Sequence, residues 1–253
     1  MAGMILNIAA YHFVAIDDPQ ALANALLARA QAADLRGTLL VAPEGLNLFL
    51  AGAESAVRGF VETLRSDARF AGIVVKQSWS EAVPFGRLKA KIKAEIITFR
   101  QPGSEPLGRA RAPAVSPQAL ARWLDRGHDD AGRPVVLLDT RNEEEFGHGS
   151  FAGALTLPIT DFTQLPDALV SHRDALAGAT VVSFCTGGVR CEKAALWMRD
   201  TGMANVLQLE GGILGYFEQV GGRHYDGACF VFDQRIALTP DLRPLAPGRS
   251  AAA

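Results

Sequence analysis

The sequence has few cysteines, and no two of them have the close spacing of a metal-binding or redox motif. Its 253 residues include three cysteines without a CxxC spacing, which excludes a disulfide framework and the usual cysteine-rich zinc site. The five histidines have neither HxxxH nor HxH spacing, and no GxGxxG follows a predicted strand. We therefore expect no metal, no evident bound cofactor and thiols that stay reduced.

Long apolar runs are also absent. No stretch approaches the roughly 18 to 20 apolar residues that a membrane-spanning helix needs. The start of the chain has no basic segment ahead of its apolar residues and leads into the acidic turn Asp17-Asp18, so we do not expect it to be a signal peptide. We expect a globular cytoplasmic protein with no membrane partner, long enough for one large or two modest domains.

Charge of either sign is nearly balanced overall but unevenly distributed. The chain up to Arg111 has 13 Lys+Arg against 10 Asp+Glu, and the remainder has 12 against 17. Basic residues alternate with smaller ones in residues 86–100, and on a strand this period places them on one face. They are Arg87, Lys89, Lys91 and Lys93. One interpretation is a solvated edge strand protected by lysines, and the other is a surface that contacts RNA phosphates.

The first hundred residues switch between the periodicities of strands and helices. The predicted elements are strands at 5–15, 36–42, 45–52, 73–80 and 93–99, and helices at 19–35 and 53–67. The order β-α-β-β-α-β with an added strand predicts a ferredoxin-like α+β domain over residues 1–100, with two helices on one face of a sheet.

The composition and the apolar periodicity change in the second half of the chain. Residues 101–117 contain prolines and glycines without an apolar period and predict a linker. Continuous apolar runs then alternate with helix patterns, which is typical of a parallel sheet covered by helices. The predicted strands are 134–140, 153–158, 180–185 and 206–211, and the predicted helices are 119–127, 162–176 and 193–202. We expect an α/β domain over 118–225 and a C-terminal tail over 226–253 with a disordered end.

The stretch SFCTGGVRCEKAALWM, residues 183–198, is the strongest candidate for a reactive site. Cys185 follows a buried strand, and ligands of α/β sheets bind outside the carboxyl ends of the strands. The two glycines permit positive φ, so that backbone N–H groups can point at the sulfur, while the following helix and its arginine add positive charge. These effects favour a thiolate by lowering its pKa. The predicted cradle for a reactive Cys185 comprises Thr186, Gly187, Gly188, Val189 and Arg190.

The length of this loop bears on its chemistry. Cys185 to Arg190 is six residues, one fewer than in the loop of cysteine phosphatases, and the smaller ring suits a persulfide better than a phosphate. The alternative is a buried structural cysteine.

The other thiols and the charged residues near the loop have the following interpretations. Cys191 is a possible second thiol that resolves an oxidised Cys185, or a small packed residue. Cys229 is expected to pack in a returning tail. Arg190 either stabilises the sulfur anion or pairs with an acid, and the pair Asp139 and Arg141 is expected to tie loops together.

Several segments resemble known families. Residues 137–158 (LLDTRNEEEFGHGSFAGALTLP) and 210–221 (EGGILGYFEQVG) are similar to the opening and closing segments of a rhodanese domain. CTGGVRCEKAALWM, LDTRNEEEF, QLEGGI and the tail CFVFDQRIAL, together with PEGLNLFLAG and LKAKIKAEIITF in the first half, resemble the rhodanese-related tRNA uridine(34) hydroxylase family.

The resemblance implies a rhodanese-like second domain and an oxygen-dependent conversion of the wobble uridine of tRNA to 5-hydroxyuridine. It implies that Cys185 is the active-site residue, by homology a persulfide intermediate. It further implies that molecular oxygen and an unidentified electron donor take part and that tRNA is the partner, with a small sulfur donor as a further candidate. The oligomeric state is left open.

Two alternatives remain at this point. The loop by itself argues for a rhodanese-type sulfurtransferase that forms a cysteine persulfide. The other alternative is a non-catalytic rhodanese-like binding module, against which the intact loop from Cys185 to Arg190 speaks.

Overall fold

The computed structural model describes residues 4–245. The chain divides into two compact units. The first comprises the residues up to Thr98 together with Asp233–Arg235, and the second comprises Phe99–Phe232 and the residues from Ile236 onward. Each unit has a buried apolar core of its own. The predicted disorder at the end of the tail concerns residues 246–253, which lie outside the described residues.

The first unit is a sheet with two helices. Its elements are β1 Ile5–Phe13, α1 Pro19–Ala32, β2 Arg36–Ala42, β3 Gly45–Ala53, α2 Glu54–Arg65, β4 Val74–Ser80 and β5 Leu88–Ile92. The strand order β4-β1-β3-β2-β5 is antiparallel except for the last pair, in which β5 runs parallel to β2. The first four strands have the order of a split βαβ sheet. The prediction of a ferredoxin-like domain with an added strand is confirmed.

Local signals explain both helices. Pro19 begins α1, and the Asp18 carboxylate accepts the N–H of Ala21 at 2.9 Å as an N-cap, which satisfies one of the free donors of the first turn. The apolar positions that predict α2 are Val57, Phe60, Val61 and Leu64, and all four are buried in the core.

The predicted strand at 93–99 is wrong, because the added strand is Leu88–Ile92. The backbone around Ile96 bonds to side chains instead of a neighbouring strand. Its N–H donates to the Glu44 carboxylate at 2.7 Å, and its carbonyl accepts the Asn47 amide at 3.4 Å. The apolar alternation of this segment therefore reflects the burial of Ile96 and not a strand.

The second unit is built around a parallel sheet. Its strands and helices are β6 Ala114–Val115, α3 Pro117–Arg126, β7 Val135–Asp139, α4 Glu143–Phe146, β8 Gly149–Phe151, α5 Leu165–Leu169, α6 Arg173–Leu176, β9 Thr180–Phe184, α7 Val189–Asp200, β10 Val206–Leu209, α8 Gly212–Val220, β11 Tyr225–Gly227, β12 Cys229–Phe230 and β13 Ala237–Leu238. The central sheet has the order β6-β10-β9-β7 with parallel neighbours. The prediction of an α/β domain with a parallel sheet is confirmed.

Two predicted elements of this unit differ in the structure. Residues 153–158 do not form a strand and contribute only a parallel bridge from Leu155 to Leu138. The left-handed turn at Gly153 and the missing N–H of Pro158 limit the pairing to that point. The predicted helix 162–176 is broken into α5, α6 and the 3₁₀ turns Phe162–Gln164 and Val170–His172, since Pro166 fits only in the first turn of a helix.

The segments predicted as linker and tail contain ordered structure. The linker range includes β6, and Arg109 and Arg111 attach it to the rest of the second unit through Asp200, Glu192 and Glu210. In the tail range, β11 pairs with β8, and β12 pairs with β13. Along residues 4–245, no helix is long and apolar enough to cross a membrane.

Candidate functional site

The candidate loop begins at the end of a central buried strand. Every residue of β9 is buried, and the strand lies between β7 and β10 in the sheet. Because the three strands are parallel, their carboxyl ends meet at one edge, where Cys185 follows β9. The Cys185 side chain is fully buried.

The loop turns sharply into α7. Gly188 has φ 102° and is the N-cap of the helix, whereas Gly187 is not among the left-handed glycines of the described chain. The expectation of positive φ therefore holds for Gly188 alone. Its N–H donates to Cys185 Sγ at 3.1 Å, and α7 begins directly after it, at Val189. The backbone thus delivers one N–H and the positive end of a helix to the sulfur.

The electrostatic environment gives the two thiols, Cys185 and Cys191, different pKa values. Burial by itself raises the pKa of Cys185, but a hydrogen bond from the Cys191 thiol, the charge of Arg190 and backbone N–H groups outweigh burial and lower the pKa to about 6. Burial and the neighbouring Cys185 raise the pKa of Cys191 well above its ordinary value. The first of the two thiols to ionise is therefore Cys185.

Arg190 acts on the sulfur through its charge while its hydrogen bonds go to an acid. Its two terminal nitrogens donate to the two carboxylate oxygens of Glu145, each at 2.6 Å, and both side chains are buried. The pairing with a glutamate and the effect on the thiol, which the sequence offers as alternatives, occur together. Its Nε is buried and has no hydrogen-bond partner within the described residues.

A second buried ion pair holds Glu145 in place. Arg141 donates to both carboxylate oxygens of Asp139, at 2.7 and 2.9 Å, and to the carbonyl of Gly149 at 2.7 Å. Arg141 and Asp139 are completely buried. Glu145 also closes the capping box of α4 with Asn142. The Asp139–Arg141 pair ties the ends of β7 and β8 together, in keeping with the structural role expected for it.

The loop is also held from the side of α8. The N–H groups of Ile213 and Leu214 donate to the carbonyls of Cys185 and Thr186, at 2.9 and 3.0 Å. This approach requires Gly212, which has φ 61°, because a Cβ there would stand 2.4 Å from the Cys185 carbonyl oxygen and 2.8 Å from the Gly188 nitrogen. The glycine pair after Glu210 is therefore part of the loop's support.

The two remaining cysteines have different surroundings. Cys191 lies in the first turn of α7, and its Sγ is 3.7 Å from the Thr140 hydroxyl, with the Ser183 hydroxyl as a further hydrogen-bonding neighbour. Cys229 lies in β12, where burial raises its pKa to about 12. All three thiols are free and buried.

The predicted basic residues belong to the first unit and are not part of this loop. Lys89 and Lys91 are in β5, and the backbone of Arg87 and Lys93 extends its pairing with β2 at either end. β5 is an edge strand. Among residues 4–245, no group of three or more histidine, cysteine, aspartate or glutamate side chains could hold a metal ion.

Sequence reasoning missed four residues that shape the site. Glu145 could have been found from the spacing Asn-x-x-Glu, which is a capping signature, and Gly212 from the paired glycines before a helix. Thr140 and Ser183 carry no such signal, because only the packing of α7 against β9 brings them to Cys191.

Comparisons with known proteins cover nearly the whole chain. Residues 5–96 match the family model described as UPF0176 acylphosphatase like domain, and residues 116–219 match the Rhodanese-like domain. The chain is 61% identical over 249 residues to the tRNA uridine(34) hydroxylase of Xanthomonas campestris pv. campestris, covering 98% of each protein. It is 59% identical over 242 residues to that of Xylella fastidiosa, covering 96% of this chain and 94% of the relative.

Solved structures that are similar to this chain match less than half of it. The rhodanese-like domain from Anabaena sp. is 20% identical, covers 46% of this chain and 79% of that domain, and has a TM-score of 0.37.

The difference between the thiols predicts a two-step titration. We expect the ultraviolet absorbance of thiolate to rise first as the pH passes about 6, when Cys185 loses its proton, and to rise again only above the ordinary range of a cysteine. Cys185→Ser should abolish the first step. Cys229→Ser should keep it, since that thiol ionises near pH 12. A first step that survives in Cys185→Ser would contradict the assignment.

The support from α8 predicts a specific effect of Gly212→Ala. The added Cβ meets backbone atoms of the loop, which must move. The hydrogen bond from the Gly188 N–H to Cys185 Sγ therefore weakens, and the pKa of Cys185 rises. The matched control is Gly153→Ala, with φ 71° and open space around the added Cβ. Both variants carry about 1 to 2 kcal/mol of left-handed strain. Thiolate titration should therefore shift for Gly212→Ala only, and equal titrations would show that the contact does not position the sulfur.

Proposed function

Because this chain belongs to the family of proteins named tRNA uridine(34) hydroxylase, we propose that it hydroxylates uridine 34 of tRNA. The observation that carries the proposal is the identity of 61% across 98% of both chains. The product is 5-hydroxyuridine, the oxidant is molecular oxygen, and the reaction takes place in the cytoplasm, where tRNA is found.

Cys185 is the reactive residue of this proposal. Three observations support this role: the pKa of Cys185 is lowered, its sulfur accepts a hydrogen bond from the Gly188 N–H, and the charge of Arg190 is buried nearby. A thiolate is the reactive form of cysteine. The cradle of Thr186, Gly187, Gly188, Val189 and Arg190 holds the negative charge, and α8 fixes the carbonyls of the loop. Exclusion of water around a fully buried sulfur strengthens each of these interactions.

The same loop could instead hold a persulfide on Cys185, and this is the alternative to a free thiolate as the reactive form. A terminal sulfur is an anion like the thiolate, and the N–H of Gly188 can donate to it as well. A small sulfur donor would then be a second substrate. Mass spectrometry of the freshly isolated protein tests this, because a peptide containing Cys185 would be heavier by one sulfur atom, and an unmodified peptide would argue against it.

The part of the first unit's sheet around β2 and β5, on the face opposite the helices, is the proposed surface for RNA. Strand register places Phe49 of β3 and Lys89 of β5 on either side of Thr38 in one row across the sheet. The next row on the same face contains Tyr11 of β1 and Lys91 of β5 at its two ends, while Asn47 between them is buried and donates to the Ile96 carbonyl. The helices pack against the opposite face, where the apolar core lies.

This face combines two chemistries that single-stranded RNA requires. Aromatic rings on the central strands of a sheet can stack on unpaired bases, and lysines beside them can contact phosphates. The anticodon loop of tRNA, which contains uridine 34, offers both. Arg87 and Lys93 continue the basic edge at the two ends of β5.

The activity has a direct test in cells. Deleting the gene should abolish 5-hydroxyuridine and nucleosides derived from it in digested tRNA, as measured by mass spectrometry. Wild type and Cys229→Ser should restore them, whereas Cys185→Ser should leave them at background. Unchanged nucleosides after deletion, with no parallel pathway active, would contradict the proposed function.

The RNA surface has a separate test in binding. The double variant Lys89→Ala/Lys91→Ala should bind tRNA more weakly and reduce the slope of log affinity against log salt by about 1 to 2, with kcat at saturating tRNA unchanged. Phe49→Leu should weaken binding by about 1 kcal/mol or more without changing this slope. Arg58→Ala on α2, where Arg58 pairs with Glu54, is the control and should bind normally. An unchanged slope in the lysine variant would argue against this surface.

A further inference from the structure

Hydroxylation by molecular oxygen has an electron requirement. One oxygen atom enters the C–H bond of the substrate, and the other leaves as water. Insertion into the C–H bond supplies two of the four electrons that reduce the oxygen molecule, so two more electrons and two protons must come from elsewhere. A pair of thiols that becomes a disulfide supplies both.

Such a pair lies at the candidate site. Both side chains are completely buried, and the Gly188 N–H donates to Cys185 Sγ at 3.1 Å. The Thr140 hydroxyl donates to the carbonyl of Phe184, the residue before Cys185, at 2.9 Å and lies 3.7 Å from Cys191 Sγ. Cys185 directly follows β9 and Cys191 lies in the first turn of α7, so both thiols belong to the same strand-to-helix turn. A disulfide requires Cβ atoms about 3.5 to 4.5 Å apart, a separation that two cysteines on one short strand-to-helix turn can reach.

The surroundings of Cys191 are polar, unlike those expected of a cysteine that only fills space. The hydroxyl of Thr140 is 3.7 Å from its sulfur, and that of Ser183 is a further neighbour. Both hydroxyls also donate to backbone carbonyls, of Phe184 at 2.9 Å and of Leu207 at 3.2 Å, which fixes their positions. With its hydrogen on the Phe184 carbonyl, the Thr140 oxygen can accept the S–H of Cys191, which keeps this thiol protonated until it reacts.

We propose that Cys185 and Cys191 together are the two-electron donor of the hydroxylation and finish each turnover as a disulfide. This inference rests on the proposed function. It assigns to Cys191 a direct part in the reaction and identifies the immediate electron donor as part of the chain.

Atoms and electrons balance in this reaction. The C5–H bond of uridine, the O–O bond and the S–H bond of Cys191 break, and Cys185 enters as the thiolate. A C5–O–H group, one water molecule and the S–S bond form. The two sulfurs are oxidised and the oxygen molecule is reduced. The Cys191 proton and one proton from solvent supply the hydrogen that water and the new hydroxyl require beyond the one from C5.

The next turnover requires an external dithiol to reduce the disulfide. Thiol–disulfide exchange proceeds fastest when the departing sulfur has a low pKa. The pKa of Cys185 is the lower of the two, so Cys185 is the sulfur that leaves. The external dithiol then forms a mixed disulfide with Cys191, and its second thiol releases Cys191 as a thiol.

The proposal is tested by withholding the reductant. The full-length protein is reduced, freed of reductant without oxygen, mixed with tRNA and then exposed to air. Wild type and Cys229→Ser should stop after a single turnover, with a matching amount of Cys185–Cys191 disulfide in unreduced peptide maps. A dithiol added afterwards should restart 5-hydroxyuridine formation.

Cys191→Ser is the decisive variant because it keeps the size and hydrogen bonding of the side chain. We expect at least a roughly tenfold loss of 5-hydroxyuridine both before and after the dithiol is added. The pKa of Cys185 should nevertheless stay below that of an ordinary cysteine. Wild-type turnover by Cys191→Ser, or product from wild type without the disulfide, would overturn the proposal while leaving the proposed function intact. Wild type that makes no product with oxygen and excess dithiol would overturn both.

Discussion

A buried guanidinium beside a thiol is the constraint on which the site depends. Arg190 cannot be buried as a lone cation, because removing an ion from water costs several kcal/mol. The bidentate contact to Glu145 neutralises much of that cost, and Glu145 is itself fixed by α4 and by its proximity to the Asp139–Arg141 pair. The charge that favours a thiolate at Cys185 therefore exists only because two buried acids are built into the neighbouring strands and helix.

The parallel sheet converts this local pairing into a site. β7 provides Asp139 at its carboxyl end and β9 provides Cys185 at the same edge, so residues more than forty positions apart in sequence meet without a long connecting loop. The third contribution comes from β10, which leads through two left-handed glycines into α8. Three strand ends thus determine the position of one sulfur.

The sequence is informative where the chemistry is local. The strand, the loop and the helix around Cys185 are contiguous, so their order and the effect of Gly188 could be predicted from residue types. Glu145 of α4 and Gly212 of α8 contact the loop from elsewhere in the chain, and the sequence of the loop does not predict which distant residues will contact it. The predicted strand at 93–99 was wrong for the same reason, because the hydrogen bonds of Ile96 go to side chains of a distant hairpin. Periodicity reports burial, but burial alone does not distinguish a strand from a buried irregular segment.

The two arginines in the segment before β6 have a consequence for how the second unit can be isolated. Arg111 contacts Glu192 on α7 and Glu210 after β10, and Arg109 holds the end of α7 through Asp200. A fragment trimmed to start at residue 118 would lose both arginines and the edge strand β6, and it would leave Glu192 without one of its partners in the turn that contains Cys191. A fragment that keeps the surroundings of the reactive loop must therefore start before Arg109, because proteolytic trimming past Arg111 would remove the ion pairs to Glu192 and Asp200 on α7.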